Sequence, residues 1–400
     1  MMMAMNKYDF ISIKIIRIII AFTFISIIIT NPVNAQQFNY ISADYLIGNV
    51  VNNYPNFPEV PNHAQFVRLR INKHLNGYKN WHRFYRFPYF GVNIVHGSLG
   101  NKDVLGNITG VMADMIMHQH FGKRIALEEG LSLGAAYYNK KYDEVTNPTN
   151  IVVGSHFTVM ASASLNVCYH TFKNFDAYMS LTVLHGSNSH LALPNVGVNV
   201  NTIGAGVRYT IHPPNKDLKV VRDSVYNRKI HFNIRIGLGL NEQGSSVAAV
   251  NGPKYPIYVG SLFITKKFGY INKVQFGLEG YYNTGVYDFI TAHKTYTEHE
   301  KQKSSALIMV LGHEFLLAHF SLLAQGGIYL YNPFYKDEYT LFYNGDTKAK
   351  IKTIITAKIG MQYYLKDATK YDRNQLYIGC YIKTNFGQAD FFETGLGYQF

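Results

Sequence analysis

The stretch Ile230-His-Phe-Asn-Ile-Arg-Ile-Gly-Leu-Gly-Leu240 alternates without a break between apolar residues and polar or small ones. A repeat of two residues belongs to a β-strand, in which successive side chains point to opposite faces of a sheet. One face of this strand is isoleucine, phenylalanine and leucine, and the other carries His231, Asn233, Arg235 and two glycines. This pairing of an apolar face with a charged, glycine-rich face is typical of a barrel wall with lipid outside and water inside.

The same alternation recurs through most of the chain, for example in segments 178–187, 202–211, 273–279, 319–328 and 351–362. The composition agrees, with 32 Tyr, 26 Phe and 33 Gly but only 16% charged residues. We predict an all-β protein: a single antiparallel transmembrane barrel over residues 36–400, with about 14 strands and a range of roughly 12–16. A large soluble β-sandwich is the alternative that the strand pattern alone leaves open.

Residues 1–35 have the features of a secretory signal peptide. Lys7, Lys14 and Arg17 supply positive charge, and residues 18–30 form an apolar run too short for a typical membrane helix. Small residues up to Ala35 provide a cleavage site, so the mature chain is expected to begin next to it. An uncleaved membrane anchor is the alternative. Export of this kind favours the outer membrane of a bacterium as the destination of a barrel.

The formal net charge is +13, from 38 Lys and Arg against 25 Asp and Glu. A basic surface favours anionic lipid or the phosphates of lipopolysaccharide as partners. Nucleic acid is not expected, because the chain carries no nucleic-acid-binding motif and the predicted signal peptide would export it. No glycine-rich nucleotide loop or pair of closely spaced cysteines is present, so neither a cofactor nor a metal is expected.

One alternating strand ends in residues that can do chemistry. His185 and Ser187 follow Leu181 and Val183 on the same, apolar face of the strand. Residues two apart on one face lie about 6–7 Å apart at Cα, within reach of each other's side chains. A serine hydroxyl becomes a nucleophile when a nearby base removes its proton, and histidine is the usual base near neutral pH. An ordinary strand end turning into a polar loop is the alternative interpretation.

The full run is His185-Gly-Ser187-Asn188, followed by Pro194-Asn195-Val-Gly197 and then Asn199. It resembles the signature of the outer-membrane lipid A 3-O-deacylases, the PagL-like family of acyloxyacyl hydrolases, over residues 185–209. The resemblance implies His185 as the base, Ser187 as the nucleophile and Asn188 as an oxyanion donor. It places the acid that orients the histidine at position 199, which is asparagine here.

This departure bears on the mechanism. The Asn199 carbonyl can accept a hydrogen bond from His185, but it cannot offset the charge of an imidazolium. Glu129 is another candidate acid, since it lies on an apolar strand face. A strand over 157–170 is expected to separate it from His185, which puts the two about 10 Å apart.

The resemblance implies an outer-membrane serine esterase that removes an ester-linked 3-hydroxyacyl chain from lipid A. Its partners would be lipopolysaccharide and membrane lipid. The chain ends on Phe400, which resembles the terminal aromatic residue that barrel-assembly machinery reads. The alternatives are a phospholipid substrate, or a barrel without catalysis that serves as a channel, a transporter or a lipopolysaccharide-binding protein.

Overall fold

The computed structural model describes residues 38–400 except 53, 55, 215–217, 219–225, 249–250, 343–344 and 386. The predicted signal peptide, residues 1–35, lies outside the described residues. In the described part of the chain, sixteen antiparallel strands form two closed barrels of eight strands each.

The strands of the first barrel are β1 (Tyr40–Val50), β2 (Ala64–His74), β3 (Tyr89–Ser98), β4 (Asn107–Phe121), β5 (Ile125–Tyr138), β6 (Phe157–Phe172), β7 (Phe175–Ser187) and β8 (Val198–Thr210). Those of the second are β9 (Ile230–Glu242), β10 (Lys254–Lys267), β11 (Asn272–Asn283), β12 (Ser305–Leu317), β13 (Phe320–Tyr331), β14 (Ile355–Tyr364), β15 (Gln375–Asn385) and β16 (Gln388–Gln399). Five short helices lie in the connections: α1 (Asn80–Phe84), α2 (Thr284–His293), α3 (Glu300–Lys303), α4 (Pro333–Phe342) and α5 (Thr347–Lys352).

The all-β antiparallel barrel class is confirmed, but the single barrel predicted for residues 36–400 is corrected to two. Strand β8 pairs back onto β1, from Val50 opposite Val200 to Tyr40 opposite Thr210, and this pairing closes the first barrel. Strand β16 pairs with β9 in the same way. The alternation that predicts each strand is the same in both halves, so it carries no information on which strands close a ring.

The faces of the strands lie as the alternation predicts, except that residues 351–352 of the predicted segment 351–362 belong to α5 and the strand begins only at Ile355. Leu181 on β7 and Ile236 on β9 point outward and are 57% and 61% exposed, whereas Arg68 and Arg235 point inward and are almost completely buried. An outward apolar wall around a polar interior distinguishes a membrane barrel from a soluble sandwich, which buries its apolar face. Among the described residues, no helix is long and apolar enough to cross a membrane.

Side chains fill the interior of both barrels. In the first, an apolar cluster that includes Phe66, Tyr138 and Met160 occupies one end, and buried ion pairs lie beyond it. In the second, Arg235 and Lys358 contact the carboxylate of Glu279 at the centre. Eight strands enclose a space just wide enough for side chains, whereas about sixteen strands are needed for an aqueous channel. The division into two rings therefore argues against a channel.

The two ends of the first barrel differ in their connections. Segments 51–63, 99–106, 139–156 and 188–197 link the strands at one end, which we call the loop end. At the other, the turn end, two of the three connections are only residues 122–124 and 173–174. The second barrel has the same polarity, with the connections that hold α2 to α5 at its loop end. The loop ends of the two barrels lie together, because segments 188–197 and 242–246 are hydrogen bonded.

The buried pair of Arg68 and Asp44 yields a stability prediction. The guanidinium of Arg68 donates to Asp44 through Nε at 2.9 Å, and both side chains are almost completely buried. Asp44→Ala leaves an uncompensated charge inside the barrel and should lower the free energy of unfolding by about 3–5 kcal/mol. Urea unfolding of the chain refolded in detergent measures this loss. Glu144→Ala removes an exposed loop carboxylate and is the control, expected to stay within about 0.5 kcal/mol of the parent.

Candidate active site

His185 and Asn199 face each other across the pairing of β7 with β8. The register places them directly opposite, and His185 Nδ1 lies 2.8 Å from Asn199 Oδ1. Directly opposed residues of an antiparallel pair have Cβ atoms about 4.5–5.5 Å apart, which allows this contact. An amide oxygen only accepts, so the imidazole donates through Nδ1 and its Nε2 keeps a free lone pair. The contact forms because β8 begins at Val198, four residues before the strand that the alternation predicts.

Ser187 is the last residue of β7, at the loop end, and is 9% exposed. The chain then enters residues 188–197, which we call the nucleophile loop. Asn195 in this loop donates from Nδ2 to Ser187 Oγ at 2.9 Å, and the backbone N–H of Ser189 approaches the same oxygen at 3.2 Å. The Oδ1 atom of Asn195 accepts from the backbone N–H of Asn188 at 3.2 Å. Two N–H donors therefore converge on the predicted nucleophile.

Gly197 brings the two reactive side chains close to each other. A Cβ atom built on this glycine would lie 3.6 Å from both His185 Cε1 and Ser187 Cβ, and 3.2 Å from the carbonyl oxygen of Gly186. Its φ of +80° lies in the left-handed region that favours glycine. His185 and Ser187 are thus neighbours around one backbone position. They make no direct hydrogen bond to each other in the structure, and such bonds often form only when substrate is bound.

The side chain of Asn188, predicted as an oxyanion donor, is engaged elsewhere. Its Nδ2 group donates to the carbonyl oxygen of Ala192 at 2.6 Å and to Ser155 Oγ at 3.2 Å. Both hydrogens of this amide group are therefore used in contacts that hold the nucleophile loop in place. The donors next to Ser187 are Asn195 Nδ2 and the Ser189 N–H, neither of which the sequence analysis singled out. The Pro-Asn-x-Gly run contained the signal for Asn195, since an asparagine in a turn commonly forms hydrogen bonds to residues nearby in the chain.

Glu129, the other candidate acid, lies away from the site. It pairs with Leu165 on β6, and Leu165 pairs with Leu181, which lies four residues along β7 from His185. At about 3.3 Å per residue, that separation excludes a direct hydrogen bond between Glu129 and His185. Asn199 is the hydrogen-bond partner of the imidazole instead.

The outer wall below His185 carries an open groove of about 490 Å³. Its lining crosses five neighbouring strands, from β4 to β8, and includes Leu165 of β6 and Leu181 of β7. The lining residue nearest to His185 along β7 is Val183, two positions before it. The groove therefore runs across the strands, around the outer wall, next to the level of the imidazole.

The fold and the site together define a membrane barrel with a serine–histidine pair at the rim of its outer wall. Residues 229–400, which include the whole second barrel, match the family model described as the C-terminal domain of acyloxyacyl hydrolase. The predicted resemblance of the chain to this family is thereby confirmed, by residues of the second barrel; the match covers less than half of the chain and does not include residues 185–209. A hydrolase is the general class of activity that this match supports.

Two solved structures illustrate what the chain is similar to. Neisserial surface protein A is 13% identical, with 43% of this chain and 96% of that one covered and a TM-score of 0.31. The outer-membrane enzyme PagL is 12% identical, with 41% of this chain and 97% of that one covered and a TM-score of 0.30. The sequence has no match among curated proteins.

Asn199 permits a test of how the imidazole is oriented. Asn199→Leu removes the acceptor for His185 Nδ1. If the chain has the esterase activity that residues 185–209 predict, this change should lower kcat by at least about tenfold, since the ring loses its tautomer and its orientation. Asn199→Asp has the same shape and adds a negative charge that stabilises an imidazolium, so kcat should rise. Initial rates of fatty-acid release from lipopolysaccharide in detergent micelles measure both. Equal rates in the parent and the two variants would remove Asn199 from the mechanism.

Proposed function

We propose that the protein is an outer-membrane serine esterase that removes an ester-linked 3-hydroxyacyl chain from the lipid A of lipopolysaccharide. One observation carries the proposal. His185 is oriented by Asn199 at 2.8 Å, next to a serine whose Oγ accepts from Asn195 at 2.9 Å, and this group lies where the apolar wall meets the loop end. The signature over residues 185–209 and the family match of the second barrel support the same reaction class.

The site contains the groups that ester cleavage needs. Nε2 of His185 takes the proton from Ser187 Oγ, which attacks the ester carbonyl carbon. The carbonyl oxygen becomes negative, and Asn195 Nδ2 and the Ser189 N–H, released from Oγ, stabilise it. The imidazolium then protonates the sugar oxygen of the ester as its bond to the acyl carbon breaks. The sugar leaves as the free hydroxyl, and the acyl group stays on Ser187. Water activated by His185 releases the fatty acid and restores the serine.

The position of the site fits a substrate held in a membrane. Barrels of this kind carry their longer loops on the outer side of the outer membrane, where lipopolysaccharide forms the outer leaflet. At the rim of the wall, the ester of a lipid can reach Ser187 while its acyl chain stays among lipid tails. The groove below His185 can hold that acyl chain against the apolar side chains of Leu181, Val183 and Leu165. The positive net charge of the chain favours a phosphate-bearing lipid.

A passive channel or transporter is the rival function. Each barrel has eight strands and an interior filled by side chains, so neither provides the wide aqueous lumen of a porin. A lipopolysaccharide-binding barrel without catalysis remains the competitor to be tested, because it would share the same wall and the same loops.

Mass spectra of lipid A from cells that produce the protein test the proposal. Loss of one hydroxyacyl chain is expected with the parent, and full acylation is expected with Ser187→Ala present as a folded barrel. Identical spectra for the two, with folding shown by heat-dependent migration in gels, would refute lipid A deacylation. Loss of a chain from phospholipid instead would keep the esterase and replace the substrate.

A further inference from the structure

The nucleophile loop is bonded directly to the second barrel. Residues 242–246, at the end of β9 and just after it, are called the docking segment here. Three residues of the nucleophile loop form hydrogen bonds with this segment. The N–H of Glu242 donates to the His190 carbonyl at 3.0 Å, and the N–H of Leu193 donates to Glu242 Oε2 at 2.8 Å. The N–H of Asn195 donates to the Ser246 carbonyl at 2.7 Å. The side chain of Asn195 donates to Ser187 Oγ. The same residue therefore contacts the second barrel through its backbone and the proposed nucleophile through its side chain.

Two residues of the nucleophile loop have a backbone conformation in the left-handed region. Ser189 and His190 both have positive φ, at 59° and 69°, a conformation that side chains disfavour. The His190 ring is buried and its Nε2 lies 3.1 Å from the Gly244 carbonyl, also in the docking segment. Burial lowers the pKa of His190. The Gly244 carbonyl only accepts, so the ring donates this bond from Nε2. Contacts from the second barrel thus hold the strained part of the loop.

Glu242 is buried at the centre of this contact and its carboxylate accepts several hydrogen bonds. Its side chain is 1% exposed, and besides Leu193 it accepts from the backbone N–H of Gly252 and from Lys254 Nζ, the latter at 2.7 Å. A buried carboxylate is stable only when its oxygens are fully bonded. One of those hydrogen bonds comes from Leu193 of the nucleophile loop. If the loop moves away, the buried carboxylate loses a donor, and if the carboxylate is removed, the loop loses an acceptor.

The docking segment is itself fixed from both barrels. Gln388, at the start of β16, donates from Nε2 to Ser246 Oγ. The Oε1 atom of the same Gln388 accepts from Tyr54 OH, at 3.1 Å, in the first loop of the first barrel. The segment therefore cannot shift away from the first barrel without breaking bonds on both sides.

We propose that the second barrel serves as a rigid support for the catalytic apparatus of the first, with Glu242 as the positioning residue that holds the nucleophile loop. This inference rests on the proposed function. It gives the second barrel a role in the reaction although its own interior is filled by side chains. Displacement of a catalytic group by about 1 Å can cost up to about 10²-fold in rate.

Kinetics of the full-length protein with lipopolysaccharide in detergent micelles test the inference. Glu242→Ala should lower kcat by about ten- to a hundredfold and leave KM within about twofold, because the groove that holds the acyl chain is untouched. Glu242→Gln retains an oxygen acceptor for Leu193 and should recover most of the rate. His190→Leu removes the bond to Gly244 and should lower kcat in the same direction, as a second variant that leaves the buried carboxylate in place.

Glu314→Ala is the matched control. Glu314 is a buried carboxylate at the turn end of the same barrel, bonded to Lys273 Nζ at 3.0 Å and Tyr364 OH at 2.8 Å. Its loss should reduce stability but leave kcat unchanged. Equal losses of kcat in Glu242→Ala and Glu314→Ala would mean a general effect of destabilisation and would overturn the inference, as would parent-like kcat in both.

Hydrogen exchange separates this inference from the proposed function. Amide exchange over residues 188–197, followed by mass spectrometry, should be faster in Glu242→Ala than in the parent and unchanged in Glu314→Ala. If Ser187→Ala abolishes hydrolysis while Glu242→Ala changes neither kcat nor loop exchange, the support role alone is rejected. If Ser187→Ala retains full hydrolysis, the proposed function fails, and the positioning role fails with it.

Discussion

Ser187→Ala and His185→Gln are each expected to lower kcat for ester hydrolysis by at least about 10³-fold, and the double variant should lose no more than either single one. In the proposed mechanism the two side chains act as one unit, because the serine oxygen is a poor nucleophile until Nε2 takes its proton. Removal of either group removes the whole step. Initial rates of fatty-acid release from lipopolysaccharide, compared among the four proteins in the same micelles, measure this.

The control for these variants is Thr109→Ala. Thr109 lies on β4 of the same barrel, where its hydroxyl bonds to the exposed His96 at 2.8 Å. This outward hydroxyl–imidazole pair is separate from the nucleophile loop, so its loss should leave the rate unchanged. Multiplicative losses in the double variant of Ser187 and His185 would contradict a shared proton-transfer step. A surviving rate in Ser187→Ala would show that the nucleophile is another group.

Asn195→Ala carries the second large effect, an expected fall in kcat of about 10²–10³-fold with little change in KM. The Nδ2 group now bonded to Ser187 Oγ at 2.9 Å is the side-chain donor next to the oxygen that attacks, and it can turn to the oxyanion that forms. A donor that acts mainly in the transition state affects kcat rather than substrate binding. Steady-state kinetics with lipopolysaccharide distinguish the two parameters.

Asn101→Ala is the comparison for Asn195. Asn101 also braces a connection at the loop end, where its side chain accepts from the backbone N–H of Val104 at 2.9 Å, but it belongs to a different loop. Its loss should cost stability without the fall in kcat. A rise in KM with unchanged kcat in Asn195→Ala would assign this residue to substrate binding instead of oxyanion stabilisation.

The two-barrel architecture changes how the family match is understood. The signature residues lie in the first barrel, between β7 and β8, whereas the family model covers residues 229–400. The contacts between the nucleophile loop and the docking segment connect these two observations physically. If Glu242 holds the loop as proposed, catalysis by the first barrel depends on a second domain that contributes no reacting group.

Periodicity alone determined much of this protein. The alternation around Ile236 assigns strands, their apolar outer face and their polar inner face, since a strand has a side-chain period of two wherever it occurs. His185 and Ser187 share a strand face for the same local reason, and the residues after them predict a loop. These properties depend on neighbours within a few positions, which is why they are visible without a structure.

Only the tertiary structure decided what depends on distant segments. The pairing of β1 with β8 joins residues about 150 to 170 positions apart, and nothing in either strand distinguishes that partner from β16. The start of β8 at Val198, which brings Asn199 opposite His185, follows from the pairing of β8 with β7 and not from the local alternation. Asn195 reaches Ser187 Oγ only because loop and strand end fold together, and Glu242 reaches Leu193 only because two separate rings pack side by side. Local pattern specifies which face a side chain occupies, whereas the closure of the rings specifies which side chains meet.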